Sequence, residues 1–161
     1  MTKEQLGDYT RRITQTNRTG LVVIIFEVID QYLEEAKDVL AKGDIEAYVF
    51  NIKKARQFLN QLMNSLDFKY PIALELFSIY RFAEDSLIKC ELRRTDVNLQ
   101  VVKESLNILQ TAFEKVAEQD PTGAVMRNTQ TVYEGFTYGR DGRNHVNVMG
   151  TERYGNGTNL Y

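Results

Sequence analysis

A chain of 161 residues with 43 % hydrophobic and 26 % charged side chains has the size of one domain and the mixture of a folded globule, which excludes wholesale disorder. Its formal net charge of −2 offers no basic footprint for a nucleic-acid backbone, whose binding relies on clustered Lys and Arg. The single cysteine, Cys90, excludes an internal disulfide, and the polar start Met-Thr-Lys-Glu-Gln-Leu-Gly-Asp lacks an apolar signal core, so a cytoplasmic location is expected.

In chain order, a short helix is expected over residues 3–15, with Leu6, Tyr9 and Ile13 on one face. Asn17 is a good N-cap for a first long helix that runs to Gly43, a residue suited to the left-handed stop. This helix contains the longest apolar run, Leu21 to Phe26, which is far shorter than the roughly 20 residues that span a bilayer. No membrane insertion is therefore expected. Asp44 caps the next helix, in which Ile45, Tyr48, Ile52, Ala55, Leu59, Leu62 and Leu66 recur at alternating spacings of three and four. Pro71, at a first-turn position, opens a third long helix with Ala73, Leu76, Tyr80, Ala83 and Leu87 on one stripe. Leu99, Val102, Leu106, Leu109, Phe113 and Val116 form an uninterrupted seam on the fourth. The short connections force neighbours to run antiparallel. The expected fold is all-α, an antiparallel up-down four-helix bundle preceded by a short helix, over residues 1–119.

Composition changes at Pro121. Three glycines lie before it, Gly7, Gly20 and Gly43, and seven crowd between Gly123 and Gly157. Residues 120–161 are therefore expected to form a Gly/Asn-rich, mostly irregular C-terminal tail. Within it Val125, Thr129, Val132, Tyr133 and Phe136 fall at helical spacing. The glycines and asparagines argue for disorder of this segment, and its docking on the bundle, with Val132, Tyr133 and Phe136 as contacts, is the competing expectation.

The body carries more apolar side chains than one stripe per helix needs. Leu21 to Phe26 point all round their helix, Phe50 and Phe58 leave the seam of the second, and Leu74 and Phe82 leave that of the third. Such faces must be covered. Either the N-terminal helix covers them, or they form a groove for a partner helix.

No constellation for chemistry emerges. The only histidine, His145, lies in the tail, so neither a Glu-x-x-His di-iron pattern nor a Cys/His zinc site can be assembled in the body. Cys90 reads as a small packing residue, and pairs such as Glu34-Glu35 or Glu84-Asp85 as solvated helix faces. The glycines around Arg140 lack the strand and the Gly-Lys-Ser/Thr ending of a phosphate loop. No catalytic residue, metal or cofactor is assigned, and a binding module is the expected class.

The order of short motifs resembles the flagellin-specific export chaperones of the FliS family. Ile13 through Thr16-Asn17 leads into Leu21-Val22-Val23-Ile24-Ile25-Phe26. Ala36 to Asp44 is similar to the family's Ala-rich helix end closed by Gly-Asp. Ile52-Lys53-Lys54-Ala55, then Leu62-Met63-Asn64-Ser65-Leu66-Asp67, then Tyr80, Leu87 and Phe113 continue the likeness across residues 9–118. Departures accompany it: Phe26 stands where the family has Tyr, Val28 where it has a small residue, and Asp85-Ser86 where it has Arg-Arg. The resemblance implies a cytosolic chaperone that binds the disordered C-terminal segment of flagellin, prevents premature polymerisation and delivers the subunit to the export gate. A partner groove is then expected at Ile25, Phe26, Ile29, Leu33, Leu62, Leu66 and Tyr80, although ordinary core packing is the competing explanation at each. The resemblance also implies that Tyr9, together with Ile13, shields the groove until ligand displaces it. A helical-bundle adaptor for a different amphipathic partner remains the alternative.

Overall fold

A computed structural model of the chain describes residues 1–121. The described residues form five helices and no strand: α1 (Lys3–Gln15), α2 (Arg18–Ala41), α3 (Ile45–Asn64), α4 (Ile72–Arg93) and α5 (Leu99–Gln119). Helices α2 to α5 close into a ring in which α2 packs on α3, α3 on α4, α4 on α5 and α5 back on α2. Short connections make consecutive members antiparallel. Outside the ring, α1 packs on α2.

Local chemistry sets the helix ends. The Asn17 side chain accepts a hydrogen bond from the Gly20 amide at 2.7 Å, and that of Asp44 accepts one from Ala47 at 2.9 Å. Between α2 and α3, Gly43 takes φ +77°, its amide donates to the Leu40 carbonyl, and the Asp44 amide donates to that of Val39. This paired closure satisfies the last carbonyls of α2. Asp44 therefore ends one helix and caps the next, which permits the tight corner. Thr2 and Gln5 form a reciprocal capping box on α1. At the end of α5, the Thr19 hydroxyl donates to the Asp120 carboxylate at 2.7 Å, and the Asn17 side-chain amide donates to the carbonyls of Ala117 and Asp120. The end of α5 is thereby tied to the start of α2.

The core is apolar and aromatic. Phe26, Ile29, Leu33, Tyr48, Ile52, Phe58, Leu59, Leu62, Tyr80 and Leu87 are all buried. Phe26 lies 6.2 Å from the Tyr80 ring and 5.7 Å from Phe113, and Tyr32 stacks on Phe58 at 6.1 Å. The Tyr48 hydroxyl donates to the Thr95 carbonyl at 2.7 Å, which satisfies a polar atom taken into the interior.

The seam of α5 departs from expectation at its end. Leu99, Val102 and Leu106 are buried and Leu109 and Phe113 half-buried, but Val116 is 55 % exposed. A 3/4 spacing averages 3.5 residues per turn, so on a helix of 3.6 it drifts by about 20° per heptad. By Val116 the stripe has rotated away from the core.

Candidate functional site: an apolar face on α4 and α5

The expected groove residues lie mostly inside the bundle. Ile25, Phe26, Ile29, Leu33, Leu62 and Tyr80 are buried, and Leu66 is half-buried at the C-terminal end of α3. The structure brings the first six together as one core cluster, in contact with each other's helices rather than lining an open groove. Burial also pushes the phenol pKa of Tyr80 upward. Cys90 is fully buried, and its thiol pKa is raised by the same desolvation.

The surplus apolar surface is resolved unequally. On α2, Ile24 and Val28 share a helix face with Glu27 and Gln31, the outer face that α1 meets. Both are buried, and Ile13 of α1 is buried with them in the core cluster while Leu6 and Tyr9 are half-buried against it. The Arg12 guanidinium fixes this packing with a two-pronged contact to Glu27 at 2.5 and 2.7 Å, and that hydrogen bonding raises the Arg12 pKa further. The Tyr9 phenol is also pushed up, first by burial and then by the nearby Glu27 carboxylate. On α3, Phe58 turns inward onto Tyr32, and Phe50 lies beneath the Lys54 ammonium.

On α4 and α5 nothing among the described residues covers the surplus. Phe68, Tyr70, Ile72, Leu74, Phe77 and Phe82 are exposed along α4 and the turn before it, with Phe82 at 49 % and Leu74 at 63 %. Phe68 and Phe77 form an edge-to-face pair at 5.8 Å, an aromatic knob beside the helix start. Val101, Ile108 and Val116 are exposed on α5, where spacings of three and four place them on one stripe with Ser105 and Ala112. Between the two helices runs a cleft of about 380 Å³ lined by Ser78, Ile79, Phe82, Ser105, Ile108 and Leu109, with no charged side chain among them. A second hollow of about 450 Å³, between α1, α2 and α5, is bordered by Arg12, Glu27, Glu114 and Glu118, and this charged border suits water better than an apolar helix.

Electrostatics set the same face apart. Lys103 of α5 pairs with Asp30 at 3.3 Å and with Glu34, both on α2. Arg56 of α3 reaches Glu84 at 2.8 Å and Glu91 at 2.5 Å on α4. Among the described residues, no ion pair joins α4 to α5. Sequence reading singled out Leu74 and Phe82 as leaving the seam but missed Ile79, Ile108 and Val101. Their signal was present as a second apolar stripe on α5, hidden beside the stronger Leu99–Val116 seam.

No described helix is long and apolar enough to cross a membrane, and the described residues contain no cluster of His, Cys, Asp and Glu that could hold a metal ion. Val132, Tyr133 and Phe136, with the tail docking expected of them, lie outside the described residues.

A helical ring with a charge-free apolar cleft among its described residues has the kind of exposed apolar surface that marks interaction sites. The family model described as Flagellar protein FliS matches residues 3–120, so the chain belongs to the FliS family and is a flagellar export chaperone. No curated protein matches the chain.

Proposed function

We propose that this chaperone holds the C-terminal segment of flagellin as amphipathic helices, the first of them laid along the α4–α5 face, and carries it to the flagellar export gate. The observation that supports this reading is the uncovered cleft between Ile79, Phe82, Ile108 and Leu109. Among the described residues its only polar lining groups are the hydroxyls of Ser78 and Ser105, which donate to the carbonyls of Leu74 and Val101 in their own helices. A ligand therefore meets a surface that makes few polar demands, which suits a chain unfolded before it docks.

Ordering a disordered segment costs about 2–5 kcal/mol, so a broad apolar contact is needed to offset it. While the segment is held, its own apolar stripe is unavailable for polymerisation. Displacement of α1 would extend the contact onto Ile24 and Val28, with Tyr9 and Ile13 leaving as the cover. The buried residues Ile25, Phe26, Ile29, Leu33, Leu62 and Tyr80 then support that surface from beneath, with Leu66 half-buried against the same core.

Calorimetric titration of the chaperone with a peptide spanning the helical C-terminal segment of flagellin tests the reading. Micromolar or tighter binding is expected, with a loss of at least tenfold in Phe82→Glu, because an unpaired carboxylate cannot be desolvated in the cleft. Absence of binding by a protein with wild-type helical circular dichroism would overturn the flagellin assignment and favour a different helical partner.

A further inference from the structure

Asp120 is pinned to Asn17 and Thr19 at the start of α2, so the point from which the chain continues beyond Pro121 is fixed at the end of α5. From there the exposed residues Val116, Ala112 and Ile108, followed by the half-buried Ser105, lead back along α5 into the cleft. The cleft lies about 17 Å from that exit at 1.5 Å per helical residue. The chain between Pro121 and Val132 spans up to about 36 Å when extended. Reach is thus satisfied with length to spare.

The sequence just beyond the exit has the matching chemistry. Val125, Thr129, Val132, Tyr133 and Phe136 recur at helical spacing, and between Val125 and Tyr138 the only charges are Arg127 and Glu134. Gly135 lowers the helix propensity of this sequence, so a helix here would gain from an apolar surface to pack on. A cleft that makes no ion pair and lacks a charged lining side chain accepts such an aromatic stripe without stranding a charge.

We propose that residues 125–138 of this chain's own C-terminal extension seat on the α4–α5 cleft, with Tyr133 and Phe136 against Ile79, Phe82 and Ile108, and compete there with the exported subunit. The seating stands by itself, whereas the competition rests on the flagellin reading above. A short tether holds the segment at an effective concentration of roughly millimolar. A contact too weak to matter between separate molecules is then substantially occupied, yet it yields to a ligand with a longer apolar face. The chaperone keeps its sticky cleft covered when empty and releases the cover on loading.

The test compares the full-length protein with a full-length Tyr133→Ala, Phe136→Ala variant by amide NMR and by titration with the flagellin peptide. Seating predicts that the variant shifts the Ile79, Phe82 and Ile108 amides while leaving those of α2 and α3 in place. Competition predicts peptide binding about fivefold tighter in the variant, the factor expected when a millimolar tether meets a contact of sub-millimolar strength. Unchanged cleft amides overturn the seating. Equal affinity, or weaker binding by the variant, overturns the competition, and in the second case the extension adds to the ligand site. If neither protein binds the peptide, the flagellin reading fails while the amide shifts still decide the seating. Cleft shifts that grow with protein concentration and accompany a dimer on size-exclusion chromatography would assign the cleft to a second copy and overturn the intramolecular proposal.

Discussion

Helices α2 and α4 begin with the same problem and reach different solutions. Each carries apolar residues beyond the stripe that a four-helix ring can absorb. The excess on α2 lies under α1, which contributes Ile13, Leu6 and Tyr9 and is held by Arg12 on Glu27. The excess on α4 lies in the open, continuous with a second open stripe on α5. Apolar exposure on this scale opposes solubility, and its concentration on α4 and α5 among the described residues is what supports the proposed docking of a partner there.

Two phenylalanines give the sharpest form of this contrast. Phe26 on α2 is 1 % exposed and touches the Tyr80 and Phe113 rings, whereas Phe82 on α4 is 49 % exposed at the cleft. Phe26→Ala is expected to destabilise the fold by about 3–5 kcal/mol in urea unfolding, the usual cost of emptying a core aromatic site. Phe82→Ala is expected to stay within about 1 kcal/mol of wild type while weakening peptide binding. Equal stability losses at the two sites would make α4 as much a part of the core as α2, and the open face would lose its meaning.

The next largest effect tests how α4 is held. Arg56 donates from Nε and Nη2 to one oxygen of the buried Glu84 and from Nη1 to Glu91, whereas the other oxygen of Glu84 is buried without a hydrogen-bond partner. Arg56→Met leaves a carboxylate stranded in the α3–α4 interface, and a loss of about 3 kcal/mol is expected. Adding Glu84→Gln should recover part of it, because the stranded charge is then gone. A double variant less stable than Arg56→Met would show that the carboxylate is not the source of the loss.

Alkaline titration separates interior from face by another route. Burial raises the phenol pKa of Tyr32 to about 12 and raises those of Tyr48 and Tyr80 as well. An unfolded tyrosine ionises near 10, so above that pH the unfolded chain binds fewer protons than the folded one and stability falls as pH rises. The contribution is intact below pH 10 and is lost towards the folded pKa, with Tyr32 alone accounting for on the order of 2–3 kcal/mol. Denaturation midpoints should therefore drop between pH 10 and 12, and Tyr32→Phe should drop less steeply. Parallel curves for the two proteins would mean that Tyr32 ionises freely in the fold.

The sequence carried the helices and their ends because both depend on local rules. Asn17, Gly43 and Asp44 act through backbone atoms within a few positions, and the 3/4 spacing of α3 and α4 reports burial directly. The site was less legible. Periodicity separates an apolar side from a polar one, yet it does not say which of two apolar sides meets a neighbour. Ile25, Phe26, Ile29 and Leu33 form a deep stripe that looks identical in sequence to a ligand groove, and the ring of four helices encloses it. Which excess α1 covers depended on Arg12 finding Glu27, a pairing between two helices that no spacing rule within one helix predicts.

That pairing also yields the smallest and most local effect. Among the described helices α1 packs chiefly on α2, and its buried anchor is Ile13, with Leu6 and Tyr9 only half-buried. A helix of this length is marginal in water without tertiary support, so α1 should open independently of the ring, as weakly packed elements do. Arg12 contributes a charge-assisted, two-pronged bond near the surface, for which about 1 kcal/mol is a reasonable scale. In Arg12→Gln, amides of residues 3–15 should then exchange about fivefold faster, with those of α3 and α5 unchanged and the unfolding midpoint nearly so. If α1 is the displaceable cover of a second docking surface, saturating flagellin peptide should accelerate the same amides in the wild-type protein, and the Arg12→Gln variant should need less peptide to reach that state. Exchange in residues 3–15 that is identical with and without peptide would leave α1 as a permanent fifth helix and confine the docking surface to α4 and α5. Acceleration across α2 as well would show instead that α1 holds the ring together, because an element that only covers cannot loosen what it covers when it departs.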